Sequence, residues 1–273
     1  MLDWPAGGDR LARPNLAERT TDRWRPPPLE PGRSLLGRLA AAARRFFDLQ
    51  AGSIWNDVAA GVSAARGKVV DVGCGAQPYR ALLPTGTSYV GLDVDSAEVD
   101  FGYAAPDTMH FDGGRWPAAT HDADFILCTE ALEHVLDPRA LLAEAFAALK
   151  PGGRLLLTVP FAARWHFVPH DYWRFTPSSL KHLLEEAGFR DVVVHARGNE
   201  VTVACYKLMA LLLPLFMPQG APPAKAWGLR LAAIPTLPLL VALAGIANLS
   251  LRGRGGDDCL GYTVTASRPG NPL

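Results

Sequence analysis

One junction constrains this chain more than any other: the β-branched run Lys68–Val72, which ends abruptly in Gly73-Cys-Gly75. Glycine at a strand end permits positive φ and a close approach of backbone to ligand, so the chain can turn into a helix around a bound molecule. About twenty residues on, the run Ser88–Val94 carries Asp93 near its end. A carboxylate there can accept hydrogen bonds from both ribose hydroxyls of a nucleoside. A pyrophosphate cofactor would ask for a third glycine at position 78. Pro78 stands there instead, bulky and without an N–H, which weighs against NAD and a nicotinamide oxidoreductase. The turn suits a nucleoside whose tail is not a pyrophosphate.

The same punctuation repeats downstream. Asp124–Cys128, Arg154–Val159 and Asp191–His195 read as further strands. Between them, Pro138–Leu149 and Pro177–Ala187 read as helices, each opened by proline and followed by Gly152 or Gly188. Strands alternating with helices predict an α/β fold with a doubly wound, mainly parallel sheet. Ahead of it, Ser34 is placed to cap a helix through Leu35 and Phe47, and a second helix is expected around Ile54, Trp55 and Val58. Residues 1–33, with Pro26, Pro27 and Pro28 in a row, read as a flexible leader, and 34–66 as N-terminal helices. Lys+Arg and Asp+Glu are both 27, so the basic excess of a nucleic-acid binder is missing. The four cysteines form no C-x-x-C pair, which argues against a zinc site or a disulfide framework. With no secretory signal pattern at Met1, a cytoplasmic, reduced protein is expected.

Four motifs, in order, carry a resemblance: Asp71-Val-Gly73-Cys-Gly75, Gly91-Leu-Asp93, Thr129-Glu130-Ala-Leu-Glu133-His134-Val and Leu149-Lys-Pro-Gly-Gly153. Together they resemble the class I S-adenosylmethionine-dependent methyltransferases, in particular the small-molecule type 11 subgroup, over roughly residues 67–200. The resemblance implies a Rossmann-like seven-stranded sheet whose last strand, here Cys259–Ser267, runs antiparallel beside Asp191–Val201. It implies S-adenosylmethionine as cofactor, with Asp71, Gly73 and Gly75 cradling the methionine portion and Asp93 the ribose. Asp112 would lie near the adenine amino group, and Thr129 and Glu130 along the inner side. Glu133 and His134 are expected to start a helix and stabilise its packing.

The segment after the fifth strand, residues 160–177, is dense in aromatic and titratable groups and should overhang the methyl group. His166, His170 and Asp171 are the expected base and its orienting partner, and Tyr172 and Arg174 the expected acceptor contacts. The opposing reading is a packed lid, with Asp171 and Arg174 pairing to hold its shape; no metal is expected. The His170-Asp-Tyr-Trp-Arg-Phe-Thr176 segment is similar to methyltransferases associated with surface-polysaccharide or glycolipid synthesis, which implies a saccharide-linked or lipid-linked acceptor. The methyltransferase domain is expected to span 67–202 plus 258–269, with 203–257 an apolar helical insertion before the last strand. Residues 203–251 are expected to lie as an interrupted helical hairpin in a membrane interface or, alternatively, to cap the acceptor pocket. Pro214, Pro235 and Pro238 are expected to interrupt any straight helix. O-methylation of a small-molecule, saccharide or lipid-linked acceptor is the leading function. A non-catalytic, membrane-attached cofactor-binding partner of a biosynthetic complex is the alternative.

Overall fold

The computed structural model describes residues 16–22, 34–102 and 105–270. The leader assigned to residues 1–33 therefore falls largely outside the described residues. Its described piece, 16–22, lies against the loop at 160–177: the Asp22 carboxylate accepts from the Phe167 and Val168 N–H groups, and Arg19 stacks on Trp165.

Seven strands form one sheet: β1 (Lys68–Val72), β2 (Ser88–Val94), β3 (Thr108–Phe111), β4 (Ala123–Thr129), β5 (Leu149–Pro160), β6 (Arg190–Arg197) and β7 (Gly261–Ser267). Their order is β3-β2-β1-β4-β5-β7-β6, with β7 antiparallel to both neighbours and the rest parallel. Side-chain alternation on the central strands explains why helices cover both faces. Val70, Val72, Ile126, Cys128, Leu155 and Leu157 point into one core, shared with α4 (Pro138–Ala148) and α5 (Pro177–Glu186). Val69, Phe125, Leu127 and Leu156 point the other way, onto Ile54, Val58 and Val62 of α2 (Leu49–Val62). Each such side chain, fully buried, contributes about 1.5–3 kcal/mol, so the sheet's alternation anchors the strand order.

Local chemistry sets the helix ends. Ser34 accepts from Gly37 N–H at the start of α1 (Leu35–Phe47), as its position predicts. Asp48 then accepts from Ala51 N–H to open α2. Pro138 and Pro177 occupy the first turns of α4 and α5 behind the caps Asp137 and Thr176. Two differences stand out from the sequence pattern. Strand β5 starts at Leu149, not Arg154, because Ala123 pairs with Leu149 across a bulge and draws Lys150–Gly153 into the sheet. β3 and the short helix α3 (Ala97–Phe101) are additions that four- and five-residue segments did not signal.

Between β6 and β7 the chain forms α6 (Glu200–Phe216), α7 (Pro223–Ala233) and α8 (Leu237–Ser250). Asn199 caps α6 by accepting from the Val201 and Thr202 N–H groups. Pro214 does not break α6, contrary to expectation: it stands within the helix three residues from Met217, near a C-terminus where a lost bond costs least. Pro235 lies in the 3-10 turn joining α7 to α8, and Pro238 in the first turn of α8. Val203, Met209, Leu240, Ala244 and Ala247 pack with Leu49 into a separate apolar cluster. The helices thus rest on the start of α2, above the carboxyl ends of the strands.

Candidate active site

The glycine turn is held from the neighbouring strand: Gly73 and Cys74 donate their N–H groups to the Leu92 carbonyl at 2.8 and 3.2 Å. Gly73 has φ +66°, and a Cβ there would meet the Ala131 Cβ at 2.5 Å. Glycine is required twice over, by conformation and by space. Beneath the turn Asp71 is buried; its Oδ2 accepts from the Tyr89 hydroxyl at 2.8 Å, and its Oδ1 has no partner. Burial pushes its pKa up to about 7, against the lowering effect of the Tyr89 bond, and Asp93 pushes it further in the same direction. Asp93 itself accepts from Gly75 N–H and Val94 N–H, both at 2.9 Å. Burial also raises the pKa of Asp93, opposed by those two backbone bonds.

These residues open onto a cavity of about 1420 Å³. Gly73, Gly75, Asp93, Asp112, Thr129 and Glu130 all line it, whereas Asp71 sits just behind its wall. Asp112 is exposed and accepts from Gly114 N–H. Glu130, at φ +49°, is fixed by bonds from its own N–H to Thr158 and by the Arg197 guanidinium, which donates to its Oε1 at 2.9 Å. Arg197 was invisible in the sequence pattern: a cation ending an edge strand reads as solvated, yet it is 3% exposed. Gly261 makes the space, since a Cβ there would meet Arg197 Nη2 at 2.3 Å.

The loop at 160–177 supplies the opposite wall through Ala163, Arg164, His166, Phe167, His170 and Tyr172. Asp171 and Arg174 do not line the cavity. Arg174 donates to both Asp171 oxygens, at 2.6 and 2.7 Å, and to the Arg164 and Trp173 carbonyls. This is the Asp171–Arg174 pair of the packed-lid reading, and it commits the guanidinium to the loop's own frame rather than to the cavity. Burial raises the Asp171 pKa, but the Arg174 bonds and then those from His166 outweigh it and hold the carboxyl well below the usual range. The same carboxylate accepts from His166 N–H at 3.0 Å and lies 3.0 Å from His166 Nδ1. His170 faces Asp100 at 3.6 Å and the Tyr172 hydroxyl at 3.4 Å.

Glu133, expected to serve packing, is fully buried and does not line the cavity, whereas its neighbour His134 does. Both sit in a 3-10 turn after β4. His134 Nδ1 lies 2.6 Å from the His170 carbonyl, so it carries the hydrogen, and Nε2 makes no hydrogen bond, with Glu133 Oε1 3.6 Å away. Burial, and then His166, lower its pKa to about 4, so the ring is neutral near pH 7. Glu133 is fully buried and neither carboxylate oxygen makes a hydrogen bond; burial and then Glu130 raise its pKa well above the ordinary value. One ligand atom each of Glu133, His134 and His166 lies within 4.8 Å of the others, a donor set the linear spacing did not suggest. The signal available in the sequence was positional: both motif residues follow a strand's carboxyl end.

Residues 42–194, more than half of the chain, match the family described as a methyltransferase domain. The chain belongs to that family. Its cofactor is S-adenosylmethionine, the methyl donor of the class I methyltransferases. The ubiquinone biosynthesis O-methyltransferase of Idiomarina loihiensis is 28% identical over 160 residues, covering 47% of this chain and 63% of its own. That of Coxiella burnetii is 31% identical over 147 residues, covering 45% and 63%. The chain thus spans less than two thirds of the length of these relatives. Among solved structures, a SAM-dependent methyltransferase from Archaeoglobus fulgidus is 16% identical with a TM-score of 0.45, covering 84% of this chain and 99% of that one. The residues fit the cofactor on their own terms. The partnerless, buried Asp71 Oδ1 suits an ammonium, and each Asp93 oxygen keeps a lone pair beyond its single backbone bond.

Proposed function

We propose that the chain methylates a hydroxyl oxygen on a small-molecule, saccharide or lipid-linked acceptor. One observation carries the reading: the glycine turn with Asp93 and the loop bearing His166 and His170 face each other across a single cavity. When bound, S-adenosylmethionine supplies an electrophilic methyl group, so the protein's task is alignment and removal of one proton. Asp71 and Glu130 would take the methionine end, Asp93 the ribose and Asp112 the adenine side.

His166 is the proposed base. Its Nδ1 is occupied by Asp171 and the Arg164 carbonyl, which leaves Nε2 with its lone pair to take the acceptor's proton. Arg174 fixes Asp171, and Asp171 fixes His166, so Asp171 and Arg174 act as positioning residues. His170 and Tyr172, which also line the cavity, would position the acceptor. Oxygen as the methylated atom agrees with the relatives named as ubiquinone biosynthesis O-methyltransferases. The segment 203–251 would bring the enzyme to the cytoplasmic side of a membrane. Supporting this, Pro223–Ser250 is long and apolar enough to cross a bilayer, with only 22% of its most apolar window buried. Because β6 and β7 pair in one sheet, the chain leaves and returns on the same side, which favours a segment lying in the interface.

Calorimetric titration with S-adenosylmethionine, beside Asp93→Ala and NAD, tests the cofactor assignment. Single-turnover methyl transfer by wild type and His166→Ala then tests the base. Tight cofactor binding with no transfer to any hydroxyl acceptor would instead favour the non-catalytic partner.

A further inference from the structure

The cavity has two ends of different chemistry. One is the polar end formed by strand termini and the loop at 160–177. The other runs between α1, α6 and α8, and no lining residue that α6 or α8 contributes is charged. Phe47, Met209, Leu213 and Leu240 form its walls. Of the described lining residues on that side, Arg44 pairs with Asp48 at 3.3 Å. At about 1420 Å³ the cavity exceeds the roughly 300–1,000 Å³ of an ordinary small-molecule site, so space remains beyond a nucleoside cofactor and a methyl-accepting ring.

This apolar end is open. Ala40 and Ala43 of α1, Met217 after α6 and Leu237 of α8 line the cavity and are also exposed, so they form a mouth. α1, α6 and α7 carry further exposed apolar side chains: Leu36, Leu211, Trp227 and Leu231 are 62–78% exposed. Isolated apolar residues on a surface are ordinary, but several on the helices that border one apolar mouth are grounds for a binding face. Its charge is predominantly basic. Residues 201–256 contain Lys207, Lys225, Arg230, Arg252 and Arg254 and no carboxylate, and 34–47 add three arginines and again no acid. Glu200, Asp257 and Asp258 flank the first stretch and Asp48 follows the second, so cations outnumber acids without excluding them, and exposed apolar side chains bordered by a cationic excess are complementary to an anionic bilayer surface.

We propose that the branch between α1, α6 and α8 is a hydrocarbon-chain site whose mouth sits on an anionic membrane, and that the acceptor is an amphiphile. Its hydroxyl-bearing head group reaches the loop at 160–177 while its chain occupies the branch and the mouth. α1, ahead of the methyltransferase fold proper, therefore acts as one jamb of a lipid doorway. The identity of the head-group reaction rests on the methyl-transfer reading above; the chain site is tested separately.

The probe is dansyl-undecanoic acid, titrated by fluorescence into the full chain saturated with S-adenosylmethionine. Saturable binding is expected in wild type, weakened at least about tenfold by Ala210→Phe, which fills the branch from α6, while cofactor affinity stays unchanged by calorimetry. Ala43→Phe narrows the branch from the opposite wall and should act alike, which guards against a folding defect in one variant. Absence of saturable binding, or equal binding by wild type and both filled variants, overturns the chain site. In parallel, phosphatidylglycerol-containing vesicles should co-sediment the protein and neutral phosphatidylcholine vesicles should not. The pair Trp227→Glu and Leu231→Glu should abolish sedimentation yet leave probe binding intact. A stable dimer without vesicle binding would assign the face to a second copy and overturn the membrane doorway. Probe binding without methyl transfer would overturn the enzyme reading and support the chain site alone.

Discussion

The glycine-turn wall of the cavity and the wall facing it, proposed as the cofactor and acceptor sides, are built by opposite means. At the cofactor end, short-range chemistry does nearly everything: a glycine at φ +66°, backbone N–H groups donating to Asp93 and a carbonyl on the adjacent strand. At the acceptor end, the groups come from distant stretches of chain: the turn after β4, the loop after β5, α1, α6 and α8. Backbone-built sites are stiff because they share the sheet's hydrogen bonds. Side-chain-built sites depend on frames such as Arg174–Asp171 that packing must hold. Damage at the two ends should therefore differ in kind: cofactor affinity at one, turnover and acceptor handling at the other.

The largest effect expected is from Asp93→Ala. It removes the proposed acceptor for two ribose hydroxyls, each charged hydrogen bond contributing about 1.5–3 kcal/mol. Calorimetry should show at least about a hundredfold loss of cofactor affinity; a loss below tenfold would break the assignment of this end. Arg174→Ala comes next, striking the other end. It leaves the Asp171 carboxylate, whose side chain is 1% exposed, without its cation, at a cost on the order of 3 kcal/mol. Denaturant unfolding should register that loss. Single-turnover transfer should fall about a hundredfold, as expected for a misplaced positioning frame, with cofactor affinity unchanged.

A smaller effect separates the ends by pH. The Asp71 pKa is raised by burial from 3.8 to about 7. The native state therefore holds a proton there that the unfolded chain releases, and this group's contribution to stability falls as pH rises between about 4 and 7. The slope is at most about 1.4 kcal/mol per pH unit. Denaturant unfolding of the cofactor-free protein across that range should show it, and Asp71→Asn should flatten it. Cofactor affinity should move oppositely, rising by up to about tenfold per unit below pH 7 as the carboxylate ionises toward an ammonium. A pH-independent affinity would sink the Asp71 role. Smallest of all should be Leu249→Ser, on the exposed side of α8 at 67%. Its stability change should stay within about 0.5 kcal/mol, with turnover in detergent unchanged.

Much of this was legible in the amino-acid sequence, and for local reasons. Glycine turns, proline-opened helices, the Ser34 cap and two-residue alternation are written within a few residues, so β1, β2, β4, α4 and α5 were readable, as were Gly73, Gly75 and Asp93. β3 was not: four edge residues pair with one neighbour only, and their stability comes from β2. Packing alone decided the acceptor end. It chose the brace over the acceptor contact for Arg174, brought His134 to the cavity with Glu133 buried behind it, and buried Arg197 in the space left by Gly261. It also decided that the apolar insertion roofs the cavity while leaving a broad face exposed. Backbone preference and periodicity act over one or two turns of chain. Which charged side chain is spent on a frame and which is left facing a ligand depends on neighbours beyond that range, 36 residues off for His134 and 67 for Arg197, and only the folded structure brings them together.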